Sequence, residues 1–245
     1  MKRTALPLSF SLPLSLLCLA ALTACSGDGE GDKETADKPK ASTSASQTKQ
    51  AGPAERVAQL LVTKAEAGDY RVDKPAEGDA LAPSKDDMNV DKADCAPLAY
   101  AMNELPIGDP EASLVRVAHG TEGAMLTYIT LATYADGKAE AAMKGLTAAA
   151  GACGGGYTAK SSAGAATTYD SVTVETAPAG GDESLATAAT FQYQGVTQTL
   201  RTQSFRFGDA IASYFSLDSG RLLQGGPGQA EIPAALVKAQ NAKLG

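Results

Sequence analysis

ATFQYQGVTQTLRTQSFRFGDAIASYFSL, residues 189–217, is the stretch that decides the fold class. Ala189, Phe191 and Tyr193 alternate with polar residues up to Gln194-Gly195; Val196 to Phe207 then runs to Gly208-Asp209, and Ile211 to Leu217 follows. A period of two puts successive side chains on opposite faces of a strand. The two short glycine-bearing breaks have the length that joins antiparallel neighbours. The segment therefore predicts a three-stranded meander. Within its middle strand the apolar set moves from Val196 and Leu200 to Phe205 and Phe207, which predicts either a bulge or a strand buried on both faces.

Upstream, Val172 and Val174 mark a further strand, and Ser113 to Thr133 reads as two antiparallel strands. Val115, Val117 and His119 share a face of the first, and Leu126 and Tyr128 oppose Met125, Ile129 and Leu131 in the second. Helical spacing recurs in four places. Val57, Leu60, Leu61 and Ala65 predict a helix from Ala54 to about Lys64. Asp94-Cys95-Ala96-Pro97 reads as a cap and first turn ahead of Leu98 and Met102. Ala139, Met143, Leu146 and Ala150 form one stripe between Asp136 and Gly151, and Ile232, Ala235, Leu236 and Ala239 form another at the C-terminus. Residues 71–93 read as a loop with one extended piece around Tyr70 to Val72. The expected class is α+β: a largely antiparallel sheet with a C-terminal meander and helices packed mainly on one face.

The N-terminus has a different character. Met1-Lys2-Arg3 precedes an uncharged apolar stretch from Leu6 to Leu22, interrupted by Pro7 and Pro13, and then Leu22-Thr23-Ala24-Cys25. Positive start, apolar middle and small residues are the parts of an export signal in order. The run is short for a permanent span, and its prolines weaken a helix. Leu-Thr-Ala-Cys resembles the lipobox of bacterial lipoproteins. That resemblance implies removal of residues 1–24 as a signal peptide and a diacylglycerol on the Cys25 thiol. Two acyl chains, at about 0.8 kcal/mol per buried CH₂, hold a protein at a lipid bilayer where one chain is marginal. Residues 25–52 have almost nothing apolar larger than alanine, a composition that cannot offset its conformational entropy by burial. They are expected to form a disordered tether of roughly 30 Å end to end. A single domain is expected over 53–245, lipid-anchored on the extracytoplasmic face of the cell membrane.

Loss of Lys2 and Arg3 with the signal shifts the formal charge from -7 to -9, since no acidic residue precedes Cys25. An acidic chain without a basic cluster argues against nucleic acid as a partner. Of the four cysteines, Cys18 departs with the signal and Cys25 carries lipid. That leaves Cys95 and Cys153 in an oxidising compartment, where two thiols most simply form a disulfide. Metal ligation is the rival reading, but two thiols and the single His119 fall short of a closed tetrahedral set without help from carboxylates.

Catalytic patterns are lacking. His119 ends a strand with no G-x-S-x-G elbow or Ser-x-x-Lys pattern in a suitable context, and Ser161-Ser162 lies among small residues. Gly151-Ala152-Cys153-Gly154-Gly155-Gly156 follows a helix, the reverse of the order in which a helix start holds phosphate. Asp86, Asp87, Asp91 and Asp94 lack the full EF-hand spacing and read as a solvated acidic loop. Tyr128, Tyr134, Tyr157, Tyr169, Tyr193 and Tyr214 read as core-edge residues. No catalytic residue, metal site or cofactor is expected.

The order of parts resembles actinobacterial extracellular sensor-type lipoproteins and, more distantly, the extracellular domain of mycobacterial-type receptor kinases. The parts are a linker, an opening helix ending near Gly68-Asp69-Tyr70, Cys95 before a short helix, a helix ending at Cys153, a meander, and Val237-x-x-Gln240-x-x-Lys243-Leu244. The resemblance implies an antiparallel sheet with helices and a ligand cleft; a kinase domain is not expected within this sequence. The expected function is non-catalytic binding of a small apolar or cell-wall ligand, or of an envelope protein. The alternatives are an enzyme, which would show a pocket with an unusual carboxylate, and a scaffold, which would show a flat apolar patch.

Overall fold

The computed structural model describes residues 51–120 and 125–245. The expected signal peptide, Cys25 and all but the last two residues of the tether lie outside the described residues. In chain order the elements are α1 (Pro53–Leu60), β1 (Arg71–Asp73), β2 (Met88–Val90), α2 (Ala96–Ala101), β3 (Ala112–His119), β4 (Met125–Thr133), α3 (Lys138–Ala152), β5 (Tyr157–Ser161), β6 (Ala166–Glu175), β7 (Glu183–Tyr193), β8 (Val196–Phe207), β9 (Ala210–Asp218), α4 (Ser219–Gln224), β10 (Gly228–Gln229) and α5 (Ala234–Asn241).

Nine strands form one path, β1-β3-β4-β9-β8-β7-β6-β5-β2, with every neighbouring pair antiparallel. The predicted meander is β7, β8 and β9 at the centre. Its first turn has Gln194 at φ 52° and Gly195 at φ 79°, the two positive-φ central residues of a tight hairpin whose twist matches its strands. The apolar shift in β8 has the second of its two expected causes. Pairing with β7 runs without a break from Glu183↔Arg206 to Tyr193↔Val196, so β8 has no bulge there; Leu200 and Phe205 enter separate cores on opposite faces. Beyond Arg201↔Ser216 β9 no longer pairs with β8. β10 takes its place in parallel at Gln198 and Thr199.

The larger core lies where α2 and α3 cover one face with Leu98, Met102, Met143 and Leu146 against Tyr157, Tyr169, Leu200 and Ile211. Cys95 and Cys153 are joined by a disulfide with Cα atoms 5.9 Å apart, linking the start of α2 to the end of α3. The opposite face has a smaller core of Ile129, Leu131, Phe205 and Tyr214 under α5 and the segment after α1. The longest helix thus lies on one face as expected, and a second, thinner helical layer covers the other.

Tertiary contacts move several expected boundaries. α1 stops at Leu60, four residues early, because buried Gln240 on α5 uses both ends of its amide: Nε2 donates to the Leu60 carbonyl at 2.9 Å and Oε1 accepts from the Val62 amide at 2.8 Å. The chain leaves α1 extended, with Leu61 at ψ 141°. Asp94 does not cap α2; it sits in a single 3₁₀ turn, Ala93–Cys95, that leads into the helix with no side-chain cap bond. Residues 71–93 contain a second strand, β2, besides the expected extended piece. α4 and β10 carried no legible signal, since two to six residues are too few for a period to declare itself.

Candidate functional site

Period two in β8 aligns Gln203, Phe205 and Phe207 on the face turned to α5. Helical spacing in α5 aligns Ala234, Val237, Lys238 and Asn241 on the face turned back. Between them, closed at one end by Pro178–Gly181 and by Ile232, lies a cleft of about 540 Å³. This volume is in the range of small-molecule sites. Phe205 and Val237 are buried in its walls, and the lining residues with polar side chains are Gln203, Lys238 and Asn241. Tyr214 donates its hydroxyl proton to Asn241 Oδ1 at 2.8 Å, which fixes the amide flip so that the Asn241 NH₂ remains as a donor beside Gly180. Gly181, at φ +62°, lets the rim press onto β8: a Cβ there would stand 2.2 Å from the Arg206 carbonyl oxygen. The arrangement offers an apolar enclosure with an ammonium and amide donors at its edge. It suits an apolar body bearing a hydrogen-bond acceptor.

The residues singled out from sequence do not meet at this cleft, apart from Tyr214 in its support. His119 joins an ion-pair cluster at the β1 edge, with Nε2 3.9 Å from Asp73 Oδ2; the same carboxylate takes Arg71 at 2.9 Å and Lys64 at 3.5 Å. Tyr134, Tyr157, Tyr169 and Tyr214 are buried and structural, whereas Tyr193 is 39% exposed. Tyr134 donates to the Ile107 carbonyl at 2.5 Å, Tyr157 to Met102 Sδ at 3.2 Å, and the Tyr157 and Tyr169 rings lie 4.8 Å apart. Burial raises the Tyr169 phenol to about 12, far from a base or nucleophile at neutral pH. Gly151–Gly156 ends α3 and leads into β5, as its order suggested. The acidic loop is solvated as expected, with Asp86, Asp91 and Asp94 exposed, but two of its carboxylates also make defined bonds. Asp87 accepts from the Ser84 and Ser162 hydroxyls and Asp91 from the Thr158 amide, so two of its carboxylates latch β2 to β5. Among the described residues no three His, Cys, Asp or Glu side chains are grouped to hold a metal ion. Among the same residues no helix is long and apolar enough to cross a membrane.

Sequence reasoning missed the α5 cleft. Only the period-two phenylalanines and the α5 stripe were visible beforehand, and both read equally well as core.

No protein-family model matches the chain, and no curated protein matches it in sequence. Among solved structures, the extracellular domain of PknH from Mycobacterium tuberculosis is similar at a TM-score of 0.49 and 13% identity, over 78% of this chain and 93% of that one. A likeness at that level carries no information about ligand or activity.

Proposed function

We propose that the protein is an exported lipoprotein, anchored by acylated Cys25 to the extracytoplasmic face of the cell membrane. In this reading its folded part is a non-catalytic, sensor-type binding module for a small apolar molecule bearing a hydrogen-bond acceptor. The observation that carries the binding reading is the cleft between α5 and β8, which combines apolar walls with the donors of Gln203, Lys238 and Asn241. The dispersal of His119, the serines and most of the tyrosines supports recognition over turnover. The feature that would mark an enzyme, an unusual carboxylate in a pocket, is present in Glu104, but that pocket is lined by no histidine, cysteine, lysine or arginine to act with it. The signal pattern before Cys25 supports the anchor, and the acidic charge argues against nucleic acid.

Native mass spectrometry of protein from its own membranes, with thermal shifts against apolar acids, esters and wall fragments, tests the binding reading. A bound or stabilising apolar molecule is expected. Ala234→Trp, which fills the cleft from the exposed first turn of α5, should abolish the effect while leaving the β-sheet circular dichroism unchanged. Absence of any shift across the panel, or a shift that survives Ala234→Trp, would refute it. Fatty-acid labelling tests the anchor separately: label is expected on the wild type and lost in Cys25→Ala.

A further inference from the structure

A second cleft, of about 530 Å³, lies away from α5 between the loop at 75–83, the turn Glu104-Leu105-Pro106 and the start of β3. Pro75, Ala82, Pro106 and Val115 give it apolar walls, and the ionisable side chains lining it are Glu77 and Glu104; no lysine or arginine lines it. Glu104 is the unusual member. Its φ is +62°, a conformation in which non-glycine residues are uncommon. The residue is 6% exposed, and among the described residues no hydrogen bond or ion pair reaches its carboxylate, whose oxygens open onto the cleft and are not sealed from solvent. The positive φ belongs to the turn that closes α2, where the Leu105 amide donates to the Tyr100 carbonyl at 3.1 Å; a largely buried carboxylate without a partner has no such role and works against the fold. Such groups cluster at ligand sites.

We propose that this cleft binds an organic cation, a primary ammonium or guanidinium on an apolar stem, with Glu104 as its counter-ion. A largely buried carboxylate that opens onto the cleft with no donor of its own is best satisfied by a charge-assisted donor. The acidic lining excludes anions, and the apolar walls suit the stem. A bare divalent ion lacks a donor set, because among the described residues the acidic side chains are not grouped as ligands. Lys85 does not neutralise the site: its ammonium donates to the Gly108 carbonyl and to Asp109 and lies over the Tyr100 ring.

The titratable groups that act on one another here are Asp79 from the loop, Tyr128 from β4 and Glu104 itself. Burial, and then the charge of Asp79, push the Glu104 carboxyl up to about 7. Burial, Glu104 and Asp79 hold the Tyr128 phenol protonated. Glu104 is therefore mostly charged at about pH 8 and mostly neutral at about pH 5, so the cation should bind more tightly at the higher pH.

The test is an NMR titration of the full chain with n-butylammonium, read at the Val115 and Leu105 methyls, beside 1-butanol and butanoate. A blocked lysine, N-acetyl-lysine N-methylamide, forms a parallel arm. Both cations are expected to bind at about pH 8, and about tenfold or more weakly at about pH 5, in Glu104→Gln and in Ala80→Trp, which crowds the cleft while keeping the carboxyl. Tighter binding of the blocked lysine assigns the site to a polypeptide side chain, and tighter binding of the free amine to a small molecule. Equal binding of 1-butanol, undiminished binding in Glu104→Gln, or no shift with either cation overturns the proposal.

Discussion

At the ordinary carboxyl value of 4.5 Glu104 would be ionised across the neutral range; burial first, and the charge of Asp79 second, raise it to about 7. The folded chain therefore holds this proton more tightly than the unfolded chain does. Its contribution to stability is full below about pH 4.5 and is lost as the pH rises through about 7, a change of at most about 3 kcal/mol. Glu104→Gln, which keeps the shape and cannot ionise, should flatten that slope and make the protein more stable than wild type at about pH 8. Urea midpoints of the two proteins at about pH 5 and pH 8 check this; parallel slopes would show that the carboxyl titrates as in solvent. Nothing in Pro97–Pro106 marks this glutamate in advance, because its chemistry comes from the side chains folded around it.

Among the elements, the α2–α3 pair is the one whose attachment is covalent. The Cys95–Cys153 link closes a loop with a sequence separation of 58 residues, and the chain-entropy description gives such a closure about 4 kcal/mol. Replacing both cysteines by alanine should lower stability by up to that amount and loosen α2 and α3 before the β7–β8–β9 centre. Denaturant midpoints of the wild type with and without reductant, beside the double variant, provide the check, and an unchanged midpoint on reduction would contradict it. The pairing was legible from cysteine accounting alone, since a compartment argument left two thiols. The boundary of α1 was not. The apolar spacing of Leu60, Leu61 and Ala65 continues past the true end, and the Gln240 amide, 178 residues beyond Val62 in the chain, overrides it.

For the whole molecule, protection should follow position in the sheet. β8 has strands on both sides and a core on each face, whereas β1 and β2 are three-residue edges. Amide exchange is expected to be slowest at Leu200 to Phe205 and fastest among the strands at Arg71 to Asp73 and Met88 to Val90. Hydrogen-exchange mass spectrometry reads this order directly, and early exchange in β8 would contradict it. The sequence by itself determined the α+β class, the central meander, the long α3 helix and the cysteine pair, because period, turn residues and compartment act locally or by exclusion. Only the tertiary structure decided that helices cover both faces, that short β1, β2 and β10 extend the sheet, and that two clefts form. Strands of two or three residues carry no period, and each cleft gathers segments far apart in the chain, at 178–181, 203–207 and 232–241 or at 75–83, 104–106 and 113–115. Burial, which turns Gln240 into a latch and Glu104 into a perturbed acid, exists only once those segments have met.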